Sequence, residues 1–247
     1  MKLLVGNWKM NLGPRAGREL AGSLSAACLS LKRAGVWLAP PFTTIPAVAD
    51  VLAGSTVRVG AQNVYGEDHG AFTGEISVPM LRELGCSFAL VGHSERRHIF
   101  KEPDALIVRR ARGALARDFT TIFCLGEKQD DRDNNRTGDV LAAQLAPLLD
   151  GLPPAQLKHL LIAYEPVWAI GSGRTPSLSE IESAHAGITE EFTARRLAPP
   201  GILYGGSVTP DNAAAILGVP GVHGALIGGA SQVLEKFAAL IRIAEGI

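Results

Sequence analysis

Short runs of apolar residues recur along the chain, and each is followed by a longer amphipathic stretch. The eight runs begin near Leu3, Val36, Val57, Phe88, Thr121, His159, Ile202 and Ala225. Their apolar residues are consecutive rather than alternating with polar ones, which is typical of strands that are buried on both faces. The pattern therefore predicts eight buried strands separated by helices.

The stretches between the runs predict amphipathic helices, including residues 15–33, 104–117, 137–149 and 178–196. Ser179 and Glu182 have the spacing of a capping box near the start of the last of these. Strands that alternate with helices form a parallel sheet. Eight units in 247 residues, with no long linker, favour a closed single-domain (β/α)8 barrel over residues 1–247 rather than an open doubly wound sheet.

The charge balance argues against a polyanionic partner. The chain has 24 Lys plus Arg and 24 Asp plus Glu, whereas general nucleic-acid binders usually have a basic excess. Charged residues are only 19% of the chain, below the roughly 25% of an average domain, which fits a globule with a large core. No apolar run approaches the ~20 residues of a membrane span. We expect neither a nucleic-acid nor a membrane partner.

The cysteines give no indication of a disulfide framework or a zinc site. Cys28, Cys86 and Cys124 are odd in number and widely spaced, and the chain has no paired ligands at short spacing. The N-terminal residues are interrupted by polar positions too early for a secretory signal. These features predict reduced thiols in a cytoplasmic protein without a metal site.

Functional side chains of a (β/α)8 barrel lie at the carboxyl ends of its strands. Glu165 has such a position, and Pro166 after it favours an extended backbone. A carboxylate there is a candidate general base, the alternative being a salt-bridged or solvated loop glutamate. Residues 167–176 then combine an apolar middle with a Gly-Ser-Gly tip, a composition that suits a lid over a bound ligand.

Two further strand ends carry candidate groups. His93 opens a predicted helix, whose positive end favours neutral imidazole that can donate to a carbonyl oxygen; the alternative is a histidine packed beneath a loop. Asn7 and Lys9 are two residues apart, so strand alternation places them on one face. Lys9 would attract an anion and stabilise a developing oxyanion, unless it is an ordinary exposed lysine at a strand end.

Glycine turns follow the last two predicted strands, at residues 204–208 and 228–231. Glycine lets backbone N–H groups approach an anion closely, and many barrels bind phosphate at these two loops. The chain has no Walker A motif, so these turns predict a small phosphorylated substrate rather than a nucleoside triphosphate.

Eight stretches of the chain, in order, resemble the triosephosphate isomerase family. They are residues 6–11 (GNWKMN), 60–63 (GAQN), 72–77 (FTGEIS), 92–97 (GHSERR), 124–127 (CLGE), 163–171 (AYEPVWAIG), 204–208 (YGGSV) and 228–231 (GGAS). The resemblance implies a TIM barrel that interconverts dihydroxyacetone phosphate and D-glyceraldehyde 3-phosphate in glycolysis and gluconeogenesis, with no cofactor or metal.

The resemblance also implies a role for each matched residue of the reacting centre. Glu165 would be the base that moves a proton between adjacent carbons through an enediol(ate). His93 would be the neutral electrophile that polarises the carbonyl and shuttles protons among the oxygens. Lys9, positioned by Asn7 and Glu95, would supply fixed positive charge to the enediolate.

The remaining implied roles concern phosphate and partner. Backbone N–H groups near Gly171, Ser207, Gly228 and Gly229 would hold the phosphate beneath the lid. A matched loop around Thr73 implies a homodimer in which this loop reaches into the partner subunit.

The chain departs from the family pattern at a few positions. Its lid reads GSGRTP where the family usually has GTGKTA, and Pro176 predicts a narrower range of open lid states. Lys101 and Pro103 replace a common Gly and Ser. Two other functions stay open from the residues alone: another phosphosugar isomerase, aldolase or lyase on the same barrel, and a phosphometabolite-binding protein without catalysis.

Overall fold

A computed structural model, which describes residues 1–170 and 174–247, has the predicted closed barrel. All eight strands are parallel, each pairs with the next, and the last pairs with the first. The strands are β1 (Lys2–Asn7), β2 (Ala34–Ala39), β3 (Arg58–Ala61), β4 (Phe88–Val91), β5 (Thr120–Leu125), β6 (Leu160–Tyr164), β7 (Ile202–Tyr204) and β8 (Gly224–Ile227). The (β/α)8 prediction is therefore confirmed.

Helices follow the strands around the outside of the barrel. In the described ranges they are α1 (Pro14–Ala27), α2 (Ile45–Val51), α3 (Val78–Glu83), α4 (Ser94–His98), α5 (Asp104–Leu115), α6 (Gln129–Asp133), α7 (Thr137–Leu149), α8 (Leu178–Ala194), α9 (Ala213–Gly218) and α10 (Leu234–Gly246). The predicted helix over 137–149 is confirmed at both ends.

Three helices end before the predicted position, α1 by six residues and α5 and α8 by two residues each, and one capping box differs. α1 ends six residues before the predicted position 33, and three amides beyond it (Lys32, Arg33 and Ala34) donate to the Glu245 carboxylate at 2.9 Å. The capping box of α8 uses Ser177 and Glu180 rather than the predicted Ser179 and Glu182. Both serine–glutamate pairs have the right spacing, and only the first stands where the chain enters the helix.

In most strands, alternate residues belong to two separate cores, which explains the continuous apolar runs. Leu3 and Val5 belong to a small core of strand residues only, which fills the barrel. Leu4, between them, belongs to the larger core shared with the helices. Asn7 continues the inward row of Leu3 and Val5 to the carboxyl end of β1, so the strand delivers a polar side chain at the barrel mouth.

No helix in the described part of the chain is long and apolar enough to cross a membrane. Within the same residues, no group of three or more His, Cys, Asp or Glu side chains could hold a metal ion. Cys28, Cys86 and Cys124 are all free and buried.

Candidate active site

A cavity of about 590 Å³ at the carboxyl ends of the strands brings most of the predicted residues together. Predicted residues that line it are Asn7, Lys9, His93, Glu165, Ser207, Gly228 and Gly229. Glu95 is absent from the lining but contacts Lys9. Gly171, the remaining predicted phosphate ligand, lies outside the described residues, as does the Gly-Ser-Gly tip of the predicted lid.

Glu165 follows β6 directly and is only 1% exposed. Its Oε2 accepts the Ser94 N–H at 2.8 Å, and its Oε1 accepts the Ser94 hydroxyl at 3.2 Å. Oε1 also lies 3.0 Å from Nε2 of His93. The carboxylate is therefore held by a neighbouring histidine and serine inside the cavity wall, and not by a surface cation.

The contacts of Glu165 decide its ionisation. Burial disfavours the carboxylate, but the adjacent His93 ring and the hydrogen bonds from Ser94 outweigh burial and leave the pKa of Glu165 below its ordinary value. In this arrangement the group is ionised at neutral pH. It has the protonation state that a general base requires.

His93 precedes the first residue of α4, as predicted, and is buried. Its Nδ1 accepts the N–H of Glu95 at 3.3 Å, so the proton of the neutral ring is on Nε2, which faces Glu165. Burial lowers the pKa of His93, but the adjacent Glu165 carboxylate reverses this and raises it above its ordinary value. From the sequence, the positive end of the helix is expected to lower the pKa of His93. The carboxylate has the opposite and larger effect, because it is closer and fully charged.

Lys9 reaches the cavity through a turn beyond the end of β1, and not as part of the strand. β1 ends at Asn7, and Lys9 lies beyond it with a φ of 52°, in the left-handed region. Its N–H donates to Oδ1 of Asn7 at 3.0 Å, and Nζ lies 2.7 Å from Oε1 of Glu95. Strand alternation is therefore the wrong reason for the shared orientation, which comes from a tight turn stabilised by Asn7.

The two glycine turns make room for the charged side chains. A Cβ at Gly228 would lie 3.2 Å from Cε of Lys9, and one at Gly205 would lie 2.8 Å from Cγ of Glu165. Gly229 begins a 3₁₀ helix, whose first N–H groups have no partner within the helix. Glycine is therefore needed here for close packing as well as for access to backbone N–H groups.

Three positioning residues carried no role in the sequence argument. Ser94 donates twice to Glu165. The Gln62 side chain donates to the carbonyl oxygens of Lys9 and Ala39 at 2.8 and 2.9 Å, which ties the Lys9 turn to β2. Buried Arg97 donates to the carbonyl of Gly92, just after β4, and to that of Cys124, one residue before the end of β5. The only signal for them was their place inside the matched motifs.

The first part of the predicted lid is anchored to a buried carboxylate. Glu127 is fully buried, and its Oε1 accepts the Trp168 N–H at 2.8 Å and the Tyr164 hydroxyl at 3.1 Å. Burial raises the pKa of Glu127 despite these bonds. At the other end of the segment, Pro176 is buried, so both ends are fixed to the body of the barrel.

Comparisons with known proteins agree with this geometry. The family model described as Triosephosphate isomerase matches residues 2–244. The triosephosphate isomerase of Herpetosiphon aurantiacus is 45% identical over 244 residues, which cover 97% of this chain and 98% of the relative. That of Roseiflexus sp. is 43% identical, covering 97% and 96%, and that of Rhodopirellula baltica is 41% identical, covering 98% and 97%. The chain therefore belongs to the triosephosphate isomerase family.

Proposed function

We propose that the chain interconverts dihydroxyacetone phosphate and D-glyceraldehyde 3-phosphate by proton transfer through an enediol(ate). Beyond family membership, one observation carries this proposal. Glu165 and His93 lie 3.0 Å apart in the wall of a cavity that also contains Lys9 and both glycine turns. A base, a hydrogen-bond donor and a fixed cation thus surround one small space.

Glu165 is the proposed base. To take a proton from a substrate carbon, the carboxylate gives up its hydrogen bonds with Ser94 and His93 and contacts the C–H group instead. It stays buried while it does so. Those bonds are what lower its pKa, so their loss leaves burial unopposed and makes the carboxylate more basic at the moment of proton abstraction. The same carboxylate then returns the proton to the adjacent carbon.

His93 and Lys9 are the proposed stabilisers of the oxygen atoms. The neutral ring of His93 donates from Nε2 to the substrate carbonyl, because Nδ1 is occupied by the Glu95 N–H. The same ring moves the hydroxyl proton from one oxygen to the other, so that carbonyl and hydroxyl exchange places. Lys9 adds positive charge beside the enediolate and is held by Glu95 and Asn7.

These groups have to act together. A positioned base contributes about 3–5 kcal/mol and an oxyanion donor about 3–4 kcal/mol, whereas the smallest usual enzymatic acceleration needs about 8 kcal/mol. The three side chains supply base, hydrogen-bond donor and charge, so the proposed reaction needs neither a cofactor nor a metal. Backbone N–H groups near Ser207, Gly228 and Gly229, with Gly171, are the proposed phosphate ligands.

A coupled assay with purified protein and glyceraldehyde 3-phosphate tests the proposal. We expect activity in the wild type and a loss of about 10²–10⁴-fold in Glu165→Gln, since a positioned base is worth that much. Glu19→Gln, at an exposed position of α1, is the matched control and should leave the rate unchanged. An inactive wild type that still binds phosphate would favour the non-catalytic alternative, and carbon–carbon cleavage would favour an aldolase or lyase.

We also propose that the chain forms a homodimer through the loop around Thr73. The loop presents Phe72, which is 37% exposed, and its base is fixed by two bonds from Arg110 to Glu75 at 2.6 and 2.7 Å. Met10, beside Lys9, is 93% exposed, which suits a residue covered by a partner's loop. Sedimentation equilibrium of wild type and Phe72→Asp tests this, with a shift toward monomer expected in the variant.

The proposed location is the cytoplasm. Three free, buried thiols fit a reducing compartment, where disulfides are rare. Fractionation of cells that produce the chain would test this.

A further inference from the structure

The outer rim of the cavity carries two charged residues that have no part in the proposed reaction. Lys236 lies in the first turn of α10, seven residues beyond the Gly229 turn. Asp211 lies just before α9, four residues beyond Ser207. Both line the same cavity as Glu165, and both side chains are on exposed residues.

The charges deeper in the cavity are already paired. Lys9 lies 2.7 Å from a Glu95 oxygen, and His93 lies 3.0 Å from a Glu165 oxygen. By contrast, across residues 1–170 and 174–247, neither Lys236 nor Asp211 has an ion-pair partner within 4.0 Å. Among the residues that the structure describes, the rim therefore holds one unpaired cation, Lys236, and one unpaired anion, Asp211.

An unpaired charge acts over a longer distance than a paired one. The field of Lys9 is largely cancelled by Glu95 a few ångströms away, whereas the field of a single charge falls only with distance and salt. A phosphate monoester carries a charge of about −1.5 to −2 at neutral pH. The glycine turns offer this dianion neutral N–H groups, so the long-range attraction has to come from another source.

We propose that Lys236 attracts the substrate phosphate into the cavity, and that the negative charge of Asp211 weakens this attraction. The inference rests on the proposed function for the identity of the substrate. The direction of each effect on substrate capture follows from the charge of the residue alone. Neither residue lies among the reacting groups, so both act on the capture of substrate and not on the proton transfer. Removing the two charges should therefore change kcat/KM in opposite directions and leave kcat unchanged.

Three variants test this in the full-length protein. At an ionic strength of about 0.01 M, where charges act over roughly 30 Å, we expect Lys236→Gln to lower kcat/KM about three- to tenfold and Asp211→Asn to raise it by a smaller factor. Both differences should vanish near 1 M salt. Lys158→Gln is the control, because Lys158 is exposed just before β6, at the opposite end of the barrel, and its loss changes net charge equally.

Titration with inorganic phosphate, followed by calorimetry, gives a readout that does not depend on turnover. Weaker phosphate binding in Lys236→Gln, with Lys158→Gln unchanged, supports the inference even if the wild type shows no isomerase activity. Equal phosphate affinity and equal kcat/KM in Lys236→Gln and Lys158→Gln would overturn it. A loss in Lys236→Gln that is independent of salt and appears in kcat would overturn it as well.

Discussion

Ser94 donates both its N–H and its hydroxyl to the Glu165 carboxylate, at 2.8 and 3.2 Å, from a position 71 residues earlier in the chain. The neighbouring His93 lies 3.0 Å from the same carboxylate. The first turn of α4 therefore holds the proposed base ionised and away from the centre of the cavity. Before Glu165 can take a proton from the substrate, its contacts with Ser94 and His93 have to be replaced by a contact with the substrate.

Ser94→Ala should move the acid limb of the kcat/KM profile to higher pH. The Ser94 hydroxyl is one of the groups that lower the pKa of Glu165, so its removal raises that pKa and the ionised base is lost sooner as pH falls. We expect kcat/KM near neutral pH to fall by at most about 10- to 10²-fold, since a hydrogen bond from a neutral donor to a charged acceptor is worth roughly 1.5–3 kcal/mol. An acid limb at the wild-type pH would contradict this role.

Gly205→Ala should reduce kcat with little effect on folding. The added Cβ would lie 2.8 Å from Cγ of Glu165, so the carboxylate has to shift, and a misplacement of about 1 Å can cost on the order of 10²-fold. Gly138→Ala in α7 is the matched control, because nothing lies within 4 Å of its Cβ. Steady-state rates and circular dichroism of both variants would separate displacement from misfolding. Wild-type kcat in Gly205→Ala would show that Glu165 is not constrained by this turn.

Lys101→Gly should stabilise the protein. Lys101 has a φ of 58°, a left-handed conformation that costs a residue with a side chain roughly 1–2 kcal/mol, whereas glycine adopts it freely at some cost in unfolded-state entropy. We expect a net gain of about 0.5–1 kcal/mol, or roughly 1–4 °C in Tm. The position also explains why glycine is common there in the family. A lower Tm, measured by calorimetry, would show that the lysine makes a compensating contact.

Acid stability should depend on His185. This side chain of α8 is fully buried, lies 3.0 Å from the Gly221 carbonyl, and has a pKa lowered by burial to about 4. Between pH 6.5 and that value the unfolded chain binds a proton that the folded chain does not, so stability falls as pH falls. Near pH 5 this difference lowers the free energy of unfolding by about 2 kcal/mol.

Urea unfolding of wild type and His185→Gln, at a fixed protein concentration, would measure the His185 contribution. The variant should start less stable near neutral pH and lose less stability between about pH 7 and pH 5. The same pH dependence in both proteins would show that another group is responsible.

The sequence predicts a site residue when neighbouring residues in the chain determine its position, and it does not when a distant contact does. Glu165, His93 and the glycine turns stand directly at strand ends, so the barrel pattern places them correctly. The contacts of Ser94 and Gln62 join positions that are 71 and 53 residues apart, and no local pattern encodes such pairs. Lys9 reaches the cavity through a left-handed turn, a conformation that its residue type does not predict.

The same distinction applies to the fold. Strand and helix periodicity predicts the eight units, because each strand is buried on both faces. The end of α1 could not be predicted, since Glu245, more than two hundred residues later, binds the amides that follow the helix. The proposed effect of Pro176 on lid motion stays a prediction, which comparison of lid exchange in wild type and Pro176→Ala by relaxation-dispersion NMR would test.

The central claim, that Glu165 moves a proton between adjacent substrate carbons, is tested most directly by NMR of the reaction in D₂O. We expect wild-type protein to convert glyceraldehyde 3-phosphate and to place solvent deuterium on carbon in part of the product, because the proton passes through an exchangeable carboxyl group. Glu165→Gln should slow both the conversion and the appearance of carbon-bound deuterium about 10²–10⁴-fold. Conversion and deuterium incorporation at wild-type rates in Glu165→Gln would contradict the account.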